Sequence, residues 1–165
     1  MSEAVYCPEC RASLSDHQSC RDYFHQMCFW ELENLAVYGV NHHLMVLCYH
    51  LQHPSLYSQP GLLGAMRILA EFIERGVTPQ DMRRRLSRQV DSRSRNYKIS
   101  GTLANHGKYL HPVKWEMTAA DVVAGGIHNF VDNVSVWAHS VYRSLKTSGN
   151  LPNYASPRIY PGKTP

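Results

Sequence analysis

Residues 118–146 read TAADVVAGGIHNFVDNVSVWAHSVYRSLK. Within them Val123, Ile127, Phe130, Val134, Trp137 and Val141 alternate at spacings of four and three, the strongest periodicity in the chain. That spacing places large apolar side chains on one face of a helix and leaves the opposite face polar. Thr118, with Asp121 three residues later, resembles a capping box at the start. The segment is therefore expected to be one long amphipathic helix. Gly125 and Gly126 each cost about 1 kcal/mol of helix propensity relative to alanine, so a close helix crossing is expected there.

Working back from this helix, Thr78-Pro79-Gln80-Asp81 is a start signal: a threonine cap, a proline in the first turn and an acid where the helix dipole favours one. It opens a helix over about 79–90. Leu62, Met66, Leu69 and Ile73 recur at four, three and four, and Gly76 ends that helix. Leu44, Leu47 and Leu51 form the stripe of another, over about 40–53, stopped by Pro54, which lacks the donor to continue. From about Tyr23, Cys28, Leu32 and Leu35 mark a further helical face. Residues 91–117 read mostly as loop. No strand series is visible, so the fold class is all-α, a four- to five-helix bundle of one domain. Residues 1–28 are expected to form a zinc-binding arm, 29–147 the bundle, and 148–165, which holds Pro152, Pro157, Pro161 and Pro165, an extended or disordered tail.

The arm carries the most specific chemistry. Cys7, Cys10, Cys20 and Cys28 are four of the five cysteines, and Cys7-Pro8-Glu9-Cys10 is a knuckle with zinc-ligand spacing. Zinc takes four ligands tetrahedrally, with thiolate bonds of about 2.3 Å. These four are the expected ligands of one structural zinc per chain, with His17 and His25 as substitutes if one thiol is unused. The fifth cysteine, Cys48, lies in an apolar stretch and is expected to fill the core. Apolar residues make up 44% of the 165, but no run is long enough to span a bilayer, so no membrane role is expected. Met1–Tyr6 lacks a basic segment followed by an apolar one, which makes a cytoplasmic protein with reduced thiols the default expectation.

The net charge of +4 is uneven. Arg83, Arg84, Arg85, Arg88, Arg93, Arg95 and Lys98 face Asp91 alone in the segment 83–98. Arg84, Arg85, Arg88 and Arg95 are the candidate contacts to an anion or a nucleic-acid backbone; the alternative is a solvated helix face. The chain also places His42, His43, His50 and His53 on one helix. A functional pocket there would use His42, Tyr49 and His53, with Gln52 beside them and His128 or His139 from the last helix; the alternative is buried, hydrogen-bonded histidines. No phosphate-binding glycine loop, dinucleotide fingerprint or serine elbow is present, and no catalytic residue is assigned.

The string His42-His43-Leu44-Met45-Val46-Leu47-Cys48-Tyr49-His50-Leu51-Gln52-His53-Pro54 resembles the His…Tyr…Gln-His-Pro signature of a bacterial domain of unknown function, family 5946. Cys7-Pro8-Glu9-Cys10 with Cys28-Phe29-Trp30 is similar to that family's N-terminal cysteines. Met117-Thr118-Ala119-Ala120-Asp121-Val122 and Trp137-Ala138-His139-Ser140-Val141 are similar to its C-terminal pattern. The resemblance spans roughly residues 7–145 and implies a helical, metal-binding protein without an assigned activity. Where the family often has a histidine between the early and late cysteines, this chain has Cys20, a residue that zinc accepts equally. Where the family often has an acid two positions before the tyrosine, Leu47 stands here. The leading expectation is a zinc-stabilised binding or adaptor module with a protein or nucleic-acid partner. The competing class is a metal-dependent enzyme or small-molecule-binding bundle built on the histidines. Trp137 and Phe130 are read as facing either the core or a partner copy in a homo-oligomer.

Overall fold

The computed structural model describes residues 5–15, 18–91 and 97–151. The chain is mostly helical, with one small two-stranded sheet. In order, the elements are β1 (Val5–Tyr6), β2 (Ser13–Leu14), α1 (Cys20–Glu33), α2 (Leu35–Tyr38), α3 (His42–Gln52), α4 (Gln59–Arg75), α5 (Pro79–Asp91), α6 (Ala119–Ala124) and α7 (Phe130–Thr147), with single 3-10 turns at Gly39–Asn41, Pro54–Leu56 and Ile127–Asn129. None of the described helices is long and apolar enough to cross a membrane.

The long helix expected from Thr118 onward is two helices. Its capping box forms as expected: the Thr118 N–H and hydroxyl both donate to Asp121, at 2.7 and 2.8 Å. The chain then turns at Gly126, whose φ of 76° is a region glycine enters without the side-chain clash other residues suffer. The glycine pair thus breaks the helix instead of admitting a crossing, and Val123 and Ile127 become half-buried. After the break the periodicity holds. Phe130, Val134, Trp137 and Val141 are all fully buried, so Trp137 and Phe130 face the core and not a partner copy.

Helix α3 is the centre of the body. Leu44, Met45, Leu47, Cys48, Tyr49 and Leu51 are buried around most of its circumference, packed against α4, α5 and α7. Cys48 is completely buried, as expected of a small apolar filler. On α4, Leu62, Met66 and Leu69 are buried, and Gly76 ends the helix in the left-handed conformation at φ 60°.

Helix α1 departs from its expected face. It begins at Cys20, three residues early, because Ser19 and Asp22 form a capping box. It ends at Glu33, where Asn34 leaves the helical region. Leu35 therefore belongs to α2, and Leu32 and Leu35 are 73% and 64% exposed. The buried face is Cys20, Met27 and Glu31, with the Phe24 ring stacked on Tyr49 of α3 at 4.4 Å.

The arm is more regular than an irregular coil. β1 and β2 pair antiparallel, Val5 with Leu14 and Tyr6 with Ser13, so the expectation of no strands fails for these two short ones. The stretch from Tyr97 to Thr118 is irregular, as expected of a loop. It is tied down by the Tyr109 hydroxyl donating to the Leu51 carbonyl at 2.6 Å and by a Tyr57–Ser100 bridge. Of the tail expected from residue 148, Asn150 is buried and exchanges two hydrogen bonds with the His111 backbone; residues 152–165 lie outside the described residues.

Candidate metal centre

The hairpin of the arm sets up the first two thiols. The Cys7 N–H donates to the Ala12 carbonyl at 2.9 Å, and the Arg11 N–H donates to the Cys7 carbonyl at 3.0 Å. This tight turn forces Arg11 to φ 62°, a left-handed conformation that costs roughly 1–2 kcal/mol for a residue with a β-carbon. The third thiol, Cys20, is the first residue of α1, where the helix dipole favours a thiolate.

The fourth group comes from the far side of the sequence. His53 caps the C-terminus of α3, with φ −127° and ψ 69°. Its Nδ1 lies 2.7 Å from the Tyr49 carbonyl oxygen. A carbonyl only accepts, so Nδ1 carries the proton and the Nε2 lone pair points the other way, which is how ligating histidines are commonly held. Nε2 sits 3.5 Å from Cys7 Sγ, and Cys10 Sγ sits 3.2 Å from Cys20 Sγ. All four ligand atoms lie within 4.8 Å of one another, and all four residues are buried. Ligands at tetrahedral corners about 2.3 Å from a zinc ion would be about 3.8 Å apart, so the donor set fits such an ion with small adjustments.

Protonation shows the same preorganisation. The hydrogen bond from Cys20 holds the Cys10 thiol down to about 4, against the opposing effect of burial. Cys20 is pushed far up by that same bond, then by burial, since the pair keeps one proton between two sulfurs. Burial pulls His53 down, but its bonds to Cys10 and to the Tyr49 carbonyl push it up further, to about 9. Protons thus do the work a cation would do, and a metal ion would displace them.

The surrounding residues lock this geometry. The Ser55 N–H and hydroxyl donate to the two carboxylate oxygens of Glu9, at 3.0 and 2.9 Å, tying the knuckle to the turn after His53. The Gln52 side-chain amide donates to the Met117 carbonyl at 2.7 Å, and its oxygen accepts from the Trp137 indole at 3.2 Å. Within four residues, Gln52, His53 and Ser55 therefore join α3 to the α6–α7 region, to the cysteines and to the knuckle.

Several expected site residues fall elsewhere. Cys28 stands apart from the cluster: it follows Cys20 by two helical turns, a rise of about 12 Å, and lines a cleft at the other end of α1. His53 takes the place expected for it. Of the substitute ligands, His25 is exposed and bonded to Arg21, and His17 lies outside the described residues. The residues named for a histidine pocket, one of the two readings of that helix, lie in different places. His53 belongs to the cysteine cluster, His42 faces Glu31, Tyr49 is buried beneath the Phe24 ring, and Gln52 is held within the core. His128 and His139 are exposed. In the basic strip, Arg84 pairs with Asp81 and Arg85 with Glu71; Arg88 is exposed, and Arg95 lies outside the described residues.

Sequence reasoning missed His53 as the partner of the thiols because 33 residues separate it from Cys20. The available signal was its place in the Gln-His-Pro string, which had no physical role until the fold gave it one.

Residues 5–146 match the family described as "Family of unknown function (DUF5946)". The chain belongs to that family. No curated protein and no solved structure matches it.

Proposed function

We propose that this member of a family of unknown function holds one structural zinc ion through Cys7, Cys10, Cys20 and His53, and that its helical body serves as a binding module. The observation that carries the reading is the buried convergence of three sulfurs and one correctly oriented imidazole nitrogen within 4.8 Å. Soft thiolates with one imidazole favour zinc among the common divalent ions. Four protein ligands leave no open position for water or substrate, which is the hallmark of a stabilising site and not of a hydrolytic one.

The zinc would do for the arm what apolar burial does for the body. Among the described residues of the segment 5–19, only Cys7, Cys10 and Ala12 are buried, little apolar surface to hold the arm against its chain entropy. Coordination would couple the arm, the start of α1 and the end of α3 in one step, so that metal binding contributes directly to folding. This supports the picture of a zinc-bound arm on a helical bundle.

Elemental analysis of protein purified without chelators tests the reading. One zinc per chain is expected in the wild type and in Cys28→Ala, and none in His53→Ala. Retention of the metal by His53→Ala together with its loss from Cys28→Ala would overturn the ligand set.

A further inference from the structure

A second concavity lies at the opposite end of α1 and α3 from the cysteines. Helix α1 stops at Glu33, α2 and a 3-10 turn lead the chain back to α3, and α5 packs against that turn and α3. Between them opens a cleft of about 570 Å³, a volume in the range that encloses a small organic molecule. Part of its lining is apolar: Leu32, Leu35 and Val40 are 73%, 64% and 40% exposed. Apolar side chains left in water around a concavity mark a binding surface more often than isolated ones do.

The charge in this lining is unbalanced. Arg83, His42 and His43 line the cleft, and among the described residues Glu31 is its only acid. Glu31 does not offer its charge to a ligand: its side chain is 5% exposed, Oε2 is 2.6 Å from His42 Nδ1, and Oε1 is shielded from solvent. Glu31 and His42 are therefore neutral as a pair. Burial first, then the nearby His42 and Arg83, hold the pKa of His43 below its ordinary value, so that ring adds little charge near neutral pH. Arg83 is left over. It is exposed and makes no ion pair among the described residues, whereas its neighbours Arg84 and Arg85 are held by Asp81 and Glu71. Its charge reaches both histidines and disfavours their protonated forms, which places it beside them. The cleft thus presents one uncompensated positive charge next to an apolar surface.

We infer that this cleft binds a small amphiphilic carboxylate, its head group on the Arg83 guanidinium and its apolar chain against Leu32, Leu35 and Val40. A guanidinium presents a planar fork of N–H donors that matches a carboxylate, and such charged hydrogen bonds are about twice as strong as neutral ones. The charge count selects the ligand. A neutral molecule gains only the apolar contact, an amine meets a like charge, and a dianion exceeds the single charge available. A nucleic-acid backbone fits less well, because Arg84 and Arg85 on the same helix are already paired and much of the cleft is apolar. The inference rests on the reading of the helical body as a binding module and deepens it by naming the ligand class. It does not depend on the zinc, whose ligands lie at the far end of the same two helices.

The test is calorimetric titration of the zinc-loaded full chain with octanoate, n-octanol and n-octylamine, matched in apolar chain and differing in head group. Octanoate is expected to bind about tenfold more tightly than the alcohol, the worth of a hydrogen bond to a charged group, and the amine more weakly than either. Arg83→Gln, at an exposed position, is expected to erase the preference for octanoate over octanol. Arg84→Gln removes the same charge one residue along and is expected to leave that preference intact. Leu35→Asn, also exposed, is expected to weaken octanoate and octanol together. No binding of octanoate, equal binding of the three probes, or a preference that survives Arg83→Gln would each overturn the inference. So would a preference lost equally with Arg84→Gln, which would trace it to the general charge of α5, or octanoate binding unchanged in Leu35→Asn, which would put the ligand elsewhere. Metal content measured on the same samples separates failure here from failure of the zinc reading.

Discussion

Helices α1 and α3 lie antiparallel and meet at three places: Cys20 with His53's cluster, Phe24 on Tyr49, and Glu31 with His42. The contacts at the two ends are each eleven residues apart on their helices, about 16 Å of helix. Both ends therefore present a histidine from α3 to a group on α1, and the two outcomes differ. His53 is buried, its Nδ1 proton is fixed by a carbonyl, and its free nitrogen turns to thiols. His42 is half open to solvent, with a side-chain exposure of 47%, and its Nδ1 turns to a carboxylate. The same residue type on one helix becomes a metal-type ligand at one end and half of an ion pair at the other. The neighbours on α1 and the access of water set that difference, not the histidine.

The sharpest way to break the comparison is at the cysteine end. Removing the metal with a strong chelator, or Cys20→Ala, is expected to unfold the arm and lower stability by several kcal/mol, because metal binding and folding of such sites are one process. Thermal melts of the same sample before and after chelation measure this, with restoration on adding zinc. Cobalt(II) substitution sharpens it: thiolate-to-cobalt charge-transfer absorption is expected in the wild type and reduced in Cys10→Ser.

Trp137→Ala tests whether the body is held by a different force. It removes the largest fully buried side chain and the donor to Gln52, at a cost of about 3–5 kcal/mol. Bound metal is expected to stay stoichiometric wherever the variant remains folded. Loss of metal in parallel with loss of the core would mean that arm and body are not separable.

The Glu31 end is expected to show its character in pH dependence. Bonding to Glu31, ahead of the opposing effect of burial, raises the pKa of His42 above its ordinary value. A raised histidine stabilises the fold fully below the unfolded pKa of about 6.5 and loses that contribution as pH rises through the folded value. The contribution of the His42–Glu31 pair is therefore expected to fall as pH climbs from about 6 into the alkaline range, so that the difference in melting temperature between the wild type and Glu31→Gln shrinks over that range. A difference that stays constant with pH would remove titration of the His42–Glu31 pair as its source.

The smallest effect is expected at Arg11. Its left-handed φ of 62° suits glycine, so Arg11→Gly should stabilise the zinc-bound protein by about 0.5–1 kcal/mol, read as a small rise in melting temperature. A fall would mean that the Arg11 guanidinium resting over the Tyr6 ring outweighs the strain.

The parts legible from the sequence were those carried by local periodicity and local chemistry. The stripes of α3, α4 and α7, the caps at Thr118 and Gly76, and the Cys7–Cys10 knuckle follow from spacings of two to four residues, over which the chain's own geometry dictates who meets whom. The break at Gly126 was less legible, because two glycines in a helical pattern are compatible with a continued helix, and tertiary packing chooses. The outward Leu32 and Leu35 misled for a related reason: periodicity shows that a face exists but not which neighbour covers it.

By itself, then, the sequence determined that the protein is mostly helical, that a cysteine-rich N-terminal arm carries thiols at metal-ligand spacing, and that Cys48 belongs inside. Only the tertiary structure decided that His53 and not Cys28 joins those thiols, and that Glu31 meets His42 at the head of a cleft. The physical reason is the length of the contacts. Cys20 and His53 are brought together by the antiparallel packing of two helices on a shared core, and no local rule of spacing encodes a meeting that depends on how every other apolar face is buried.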